Sequence, residues 1–179
     1  QQNLAIAETQ MFPKIVYDVT CGGVDKSVKS TADRFTLLLT DPDAPCRHEP
    51  LFREFIHSVV TDLTAADLAA GVTADTGNHI VPYLGPAPPC NSGFHRYVFL
   101  LFEQPDGSDP SVLQQAFEGR GGKKSVVEAH ACGLAGPIGV GGFCAQWSQE
   151  CDELHEKMGW VPPPQYQSEA QKQAAAKSE

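Results

Sequence analysis

The sequence predicts a mainly β protein built as a single domain. Stretches rich in β-branched and aromatic residues outnumber helix-like stretches, and clusters of Gly, Pro, Asp and Asn separate them. The helical patterns are short and fall late in the chain. With 179 residues, 41% of them hydrophobic, the chain is long enough to bury one sizeable core.

Four segments carry a strong strand signal, and a fifth carries a weaker one. The strong segments are 14–20, 34–40, 55–63 and 95–104. The weaker segment, 78–84, contains Pro82, which indicates an edge strand or a bulge because proline cannot donate to a sheet.

Three short helices are predicted in the second half of the chain, at 111–118, 125–132 and 147–158. Ser111 is suited to cap the first helix, because serine oxygens accept hydrogen bonds from the free N–H groups of a first turn. The third helix carries one apolar face.

We predict a domain at 11–160, with an N-terminal extension at 1–10 and a C-terminal tail at 161–179. The domain contains no internal repeat and no plausible linker. The end of the tail is polar and alanine-rich without a hydrophobic stripe, so we expect it to fray. The glycine-rich segment 133–142 suits either close backbone approach or a mobile loop over a site.

The net charge of −9 argues against general nucleic-acid binding, because phosphate contacts need a basic surface. It does not exclude a small anion site, since a local group of donors can oppose the overall field. No segment approaches the roughly 20 apolar residues that a membrane-spanning helix needs.

Cysteine usage fits two interpretations. The six cysteines allow 15 pairings in principle, and a chain of this size does not need a disulfide scaffold. A cytoplasmic protein with buried thiols and a secreted protein with a few disulfides both fit, and we favour the former. There is no CxxC motif, so we expect no zinc site.

The residues suited to chemistry concentrate in two proline-rich loops at strand ends. TDPDAPCRHEPLFREFIH, at 40–57, offers carboxylates and a histidine, and GPAPPCNSGFHRY, at 85–97, leads into a strand that opens with His95. Prolines hold such loops in one shape. An aspartate or histidine alone is more often structural, but together they indicate a small polar pocket. Cys46 lacks the partners of a cysteine nucleophile in its surroundings.

These two loops resemble the signature segments of the phosphatidylethanolamine-binding protein family, which includes the Raf kinase inhibitor proteins and the plant flowering regulators. The shared pattern is DPDAPxR…REx₂H followed by PPxxxGxHRYVFxLxxQ. The resemblance covers about residues 11–158 and is densest in the two loops.

The resemblance implies a mostly antiparallel β-sandwich whose small surface pocket takes anions and phosphorylated headgroups. The family's pocket residues fall on Asp41, Asp43, Pro45, His57, Gly85, Pro88, His95 and Tyr97. His155 falls where the animal proteins have a pocket tyrosine. Asp41 is expected to pair with His57 or His95, and the peptide bond between Arg53 and Glu54 is expected to be cis.

Several positions depart from the family pattern, among them His155 and the glycine-rich segment 133–142. Ala87 stands where many members have glycine, and Phe52 and Phe55 stand where side chains that can form hydrogen bonds are common. These changes leave the fold unaffected and the ligand preference open.

We expect a non-enzymatic module without metal or cofactor that binds a phosphate-bearing small molecule or phospholipid headgroup. It would regulate a partner such as a kinase pathway, a phosphoprotein or a transcription-factor assembly. A peptidase inhibitor is the alternative, since some relatives act so. A hydrolase using Asp41, His57 and His95 ranks last, because the motif sets no nucleophile beside them. Phosphate is expected to bind best when His57 or His95 is protonated, and more weakly as pH rises.

Overall fold

One six-stranded sheet runs through residues 2–17, 30 and 32–177, which are the residues that this computed structural model describes. The strands are β1 (Gln2–Asn3), β2 (Arg34–Asp41), β3 (Phe55–Leu63), β4 (Asn78–Val81), β5 (Phe94–Gln104) and β6 (Ala135–Gln146). The α-helices are α1 (Ala65–Ala70), α2 (Pro110–Phe117), α3 (Ser125–Ala131), α4 (Glu150–Lys157) and α5 (Glu169–Lys177). Short 3₁₀ helices lie at Ile6–Thr9 and Pro164–Tyr166.

The strand order across the sheet is β1-β6-β5-β2-β3-β4. All neighbours are antiparallel except β1 and β6, which are parallel. Near the end of β2, Thr40 lies opposite Ile56 of β3 on one side and Val98 of β5 on the other. The two proline-rich loops therefore meet at one edge of the sheet.

Both faces of the central strands are buried, which explains the apolar run in β2. Phe35, Leu37 and Leu39 pack on one face, with the N-terminal segment, α1 and α4, whereas Leu38 packs on the other, beneath α2 and α3. This alternation is the two-residue period of a strand. The antiparallel sheet is thus covered by helices and loops on each side.

The strand predictions succeed in the centre of the sheet. β3 has the predicted bounds, β2 and β5 are each one residue longer, and β4 ends before Pro82 at the sheet edge. The strand predicted at 14–20 is not found in its described part, and residues 18–20 lie outside the described residues. Ile15 makes only an isolated bridge with Val72, because this segment directs its backbone hydrogen bonds to residues in and after α1.

The mostly antiparallel sheet agrees with the predicted fold class, but two parts of that prediction need correction. The described residues form one sheet covered by helices rather than two clearly facing sheets. Helices are also not confined to the C-terminal part, because α1 follows β3. Its first turn is capped reciprocally: Asp67 N–H donates to the Thr64 hydroxyl, and Thr64 N–H donates to the Asp67 carboxylate.

The glycine-rich segment 133–142 lies mostly in β6. The prediction that it forms a mobile loop over a site is therefore wrong, and the prediction that it allows two backbones to approach closely is confirmed. A Cβ atom on Gly142 would lie 2.3 Å from the backbone oxygen of Tyr97 on β5. Glycine is required there because the two backbones pass too close for any side chain.

The tail is helical rather than frayed. Gln171 N–H donates to the Ser168 hydroxyl and Ser168 N–H donates to the Gln171 side chain, which caps the start of α5. The Ser168 hydroxyl also donates to Asp152 on α4. Alanine-rich sequence favours helix once such a cap exists. At α2 the cap is Asp109 rather than Ser111, whose N–H donates to the Asp109 carboxylate.

The N-terminal segment packs on the sheet, because β1 pairs with β6 and Ile6 is buried in the core. At the other end, α5 contacts α4 through Gln171 and His155. The division into 1–10, 11–160 and 161–179 stays a prediction. None of the five described cysteines forms a disulfide, and Cys21 lies outside the described residues. Across the described chain, no helix is both long and apolar enough to span a membrane.

Candidate functional site

A cavity of about 380 Å³ opens where β2 ends and where β3 and β5 begin. Six of the nine predicted site residues line it: Asp41, Pro45, His57, Gly85, His95 and Tyr97. Three others, Asp43, Pro88 and His155, lie behind the lining. The antiparallel register accounts for this grouping, because it places the end of one strand beside the beginnings of its two neighbours.

Asp43 holds the loop after β2 in place. Its fully buried carboxylate accepts hydrogen bonds from Arg96, from the backbone N–H at 3.0 Å and from the guanidinium at 2.8 and 2.7 Å. Burial raises the pKa of Asp43, but the hydrogen bonds and charge of Arg96, with the charge of Arg47, outweigh it and leave the pKa below its usual value. Its own N–H donates to Asp41 at 2.7 Å.

His95 is the histidine that pairs with Asp41, and both of its ring nitrogens are occupied. Nδ1 lies 2.7 Å from the Asp41 carboxylate, and Nε2 lies 3.0 Å from the Ser92 hydroxyl. The Ser92 hydroxyl donates its one hydrogen to the Pro89 carbonyl, so it can only accept from His95. Both ring nitrogens are therefore engaged within the protein, and neither is free to meet a ligand.

His57 is bonded differently. Its Nδ1 donates to the Leu84 carbonyl at 2.7 Å, and its Nε2 has no hydrogen-bond partner within the described part of the chain. Burial lowers the pKa of His57; the Arg120 and His95 charges lower it further, against the opposing effects of Asp41 and the Leu84 hydrogen bond. The ring is neutral at pH 7, and Nε2 then presents a lone pair.

Tyr97 lies edge-on to His57, with 5.1 Å between the ring centroids. It is buried, and its hydroxyl has no hydrogen-bond partner among the described residues. Burial and the Asp41 charge raise the pKa of Tyr97 well above its usual value, so the hydroxyl keeps its proton. Among the described residues, the side-chain N and O atoms that lack both a hydrogen-bond partner and solvent access are His79 Nε2 and Glu128 Oε2. His57 Nε2 and the Tyr97 hydroxyl are not among them, so these two unpartnered atoms open on the cavity, and we call them its floor.

Arg120 is a residue that the sequence analysis missed. Its guanidinium donates to the backbone carbonyls of Ile56, His57 and Pro82, at 2.9, 3.1 and 2.8 Å, and no described carboxylate forms an ion pair with it. Burial lowers the pKa of Arg120, though an arginine stays charged at neutral pH. It therefore places an uncompensated positive charge behind the cavity floor.

The cavity wall is largely apolar. Its members are Ala44, Phe52, Phe55, Leu84, Ala87, Pro89, Met158 and Trp160, beside Gly119 and Gly121. Ala87, Phe52 and Phe55, three of the departures from the family pattern, are all part of it. Met158 and Trp160 were not predicted as site residues, because no sequence signal links the segment after α4 to the two loops.

His155 supports this wall from behind. Its Nε2 donates to the Ala87 carbonyl at 2.9 Å, its Nδ1 accepts from the Gln171 side chain at 3.2 Å, and its ring contacts Trp160 edge-on. Burial lowers the pKa of His155, against the Ala87 hydrogen bond and the Asp152 charge. The described residues contain no group of three or more His, Cys, Asp or Glu side chains that could hold a metal ion.

The sequence model described as "Phosphatidylethanolamine-binding protein" matches residues 5–137. An uncharacterized protein of Saccharomyces cerevisiae is 47% identical over 91 residues, 50% of this chain and 45% of that protein. The carboxypeptidase Y inhibitor of the same yeast is 43% identical over 95 residues, 46% of this chain and 43% of the inhibitor. The chain thus spans less than half the length of these relatives.

Two solved structures match this chain in fold. Carboxypeptidase Y inhibitor, in a crystal structure with its cognate proteinase, matches with a TM-score of 0.62 and 26% identity, over 82% of this chain and 76% of that one. The phosphatidylethanolamine-binding protein from Plasmodium vivax matches with a TM-score of 0.64 and 17% identity, over 82% and 78% of the two chains, a likeness of fold. With the family's sequence model covering most of its length, the chain belongs to the phosphatidylethanolamine-binding protein family.

Proposed function

We propose that this chain is a non-enzymatic binding module whose cavity takes a small phosphate-bearing ligand. The observation that carries the proposal is the pair of unpartnered polar atoms, His57 Nε2 and Tyr97 Oη, at the floor of a cavity of about 380 Å³. Buried polar groups are normally hydrogen-bonded, so such a pair in a preformed apolar cavity is suited to a ligand.

The charges around the floor favour an anion. Each oxygen of the Asp41 carboxylate is hydrogen-bonded, one to the His95 ring and one to the Asp43 N–H, which weakens its repulsion of an anion. Arg120 adds a positive charge that no described carboxylate offsets. A local field of this kind can oppose the overall charge of −9.

The same hydrogen bonds argue against hydrolysis. Asp41 and His95 are engaged with each other and with Asp43 and Ser92, and although His57 Nε2 offers a lone pair, no serine or cysteine is among the described residues that line the cavity beside it. The thiol of Cys46, next to the cavity-lining Pro45, is also engaged. Its Sγ lies 2.8 Å from the Tyr166 hydroxyl and accepts a hydrogen bond from the Glu49 backbone N–H.

Thermal unfolding with and without phosphate or phosphorylethanolamine tests the proposal. Ligand that binds the native state stabilises it by about 2.7 kcal/mol at a hundredfold excess over Kd, which raises Tm. Tyr97→Phe should lose most of this protection, whereas Tyr17→Phe, whose hydroxyl donates to Ile138 outside the cavity, should keep it. An unchanged Tm of the native protein at saturating phosphate would contradict a phosphate-binding cavity.

Inhibition of a peptidase is the second candidate function. Among possible regulatory partners, similarity favours a peptidase. A relative named carboxypeptidase Y inhibitor shares 43% identity over 95 residues, and its fold matches along most of this chain. A direct assay of carboxypeptidase Y with increasing amounts of this protein tests the candidate. Dose-dependent loss of peptidase activity is expected, and full activity at a large molar excess would exclude this peptidase as a target.

A further inference from the structure

We propose that the cavity selects phosphomonoesters that carry a P–OH proton over phosphodiesters and sulfate. The inference rests on the function proposed above and names the ligand class of the same cavity. It follows from which atom donates and which accepts at the cavity floor.

His57 is the acceptor. The Leu84 carbonyl can only accept, so the hydrogen of the neutral ring lies on Nδ1 and Nε2 is left with a lone pair. Rotation of the ring would lose the Leu84 hydrogen bond and is therefore unfavourable.

Tyr97 is the donor. Its hydroxyl keeps its proton, and no described residue accepts that proton. The Tyr97 and His57 rings lie in edge-on contact, and both residues line the cavity. The floor thus offers one donor and one acceptor to a single small group.

A phosphomonoester monoanion matches both positions, because its P–OH donates to His57 while a P–O oxygen accepts from Tyr97. A phosphodiester monoanion and a sulfate ion carry oxygens that only accept. Either ligand would place an anionic oxygen against the His57 lone pair and leave that nitrogen unpaired. Buried groups left unpaired in this way reject an analogue that lacks the matching hydrogen.

The charged and titratable groups that face His57 are Asp41, His95, Arg120 and Tyr97. Because the pKa of His57 lies below its usual 6.5, its neutral acceptor form is more populated near pH 6 than that of an ordinary histidine. The P–OH proton of a phosphomonoester is lost near a pKa of about 6. Selectivity is therefore expected near pH 6, and it should disappear at lower pH, where protonated His57 donates to every anion.

This selectivity separates two sources of phosphate chemistry. The headgroup of an intact phospholipid is a diester, whereas phosphorylethanolamine and a phosphorylated side chain are monoesters. The floor atoms favour the monoesters, so a phosphorylated small molecule or protein segment fits better than a membrane lipid.

Calorimetric titrations at pH 6 with methyl phosphate, dimethyl phosphate and sulfate test the inference. A second matched pair is phosphorylethanolamine and glycerophosphorylethanolamine. We expect each monoester to bind about tenfold or more tightly than its diester, since the loss of one hydrogen bond to a charged group lowers affinity by about that factor. His57→Gln, whose amide can donate or accept, should bring the ratio close to one, and Tyr17→Phe should preserve it.

The outcomes separate this inference from the function on which it rests. Equal affinities for monoester, diester and sulfate at pH 6 would overturn the selectivity while leaving an anion-binding cavity. Binding of none of these probes would overturn both. A preference for monoesters that survives in His57→Gln would also overturn the inference, because its origin would lie elsewhere.

Discussion

The floor of the cavity and the C-terminal part of its wall, Met158 and Trp160, are held in place in different ways. The floor residues Asp41, His57, His95 and Tyr97 stand on three neighbouring strands whose backbone register fixes their relative positions. This part of the wall depends instead on side-chain hydrogen bonds that α4 makes with Ser168, the cap of α5, and with Gln171 of α5. The floor is thus set by the sheet, and we expect that the wall can be altered without disturbing it.

The largest expected effect concerns the loop that carries the floor. Asp43→Ala should lower the free energy of unfolding by about 2 kcal/mol, because it removes the buried carboxylate that accepts three hydrogen bonds from the partly exposed Arg96. Urea denaturation measures the loss. Arg34→Ala, which breaks the exposed pair with Asp62, is the control and should change stability by less than about 1 kcal/mol. Similar losses in the two variants would show that Asp43 does not hold the floor.

A smaller effect should appear in the pH dependence of stability. The pKa of His57 is lowered in the folded protein, so between that value and 6.5 the unfolded chain binds more protons. The contribution of His57 is complete above pH 6.5 and is lost as pH falls through the folded pKa. Unfolding free energies measured from pH 7.5 to 5 should therefore fall, and His57→Gln should flatten the slope. The lowered pKa of His155 acts in the same direction, so part of the slope should remain in His57→Gln. An equally steep slope in His57→Gln would rule out a buried neutral His57.

The smallest effect is expected at the wall. Ser168→Ala removes the cap of α5 and its hydrogen bond to Asp152, which should lower stability by about 1 kcal/mol and reduce helix content in circular dichroism. Methyl phosphate affinity should change little, because the floor does not depend on α5. Lys172→Ala, on the same helix but in an exposed pair with Glu169, is the control. A tenfold loss of affinity in Ser168→Ala would mean that wall and floor act as one unit.

The floor was predictable from sequence because its residues lie in two dense motifs at strand ends. A strand fixes which side chains share a face, so the grouping of His95 with Tyr97 required no tertiary information. The strong apolar runs likewise placed β2, β3 and β5. The cis peptide bond between Arg53 and Glu54, implied by the resemblance, is present.

The rest depends on contacts between distant segments. Trp160 and Arg120 reach the site through helix and loop packing, which no local pattern encodes. The two histidines appear equivalent in the sequence, but the Leu84 carbonyl and the Ser92 hydroxyl give them opposite roles. The prediction that either histidine donates to phosphate is therefore narrowed: His95 has no free nitrogen, and His57 donates only after it takes up a proton.

The central claim is that neutral His57 accepts a hydrogen bond from the ligand at the cavity floor. Nitrogen NMR of the histidine rings, recorded at pH 6 with and without methyl phosphate, tests it most directly. The account predicts a largely unprotonated Nε2 on His57 in the free protein, a saturable shift of that signal on binding, and a smaller response from His95, whose nitrogens are both engaged within the protein. A His57 ring protonated on both nitrogens in the free protein, or a His57 signal that methyl phosphate leaves unchanged, would contradict it.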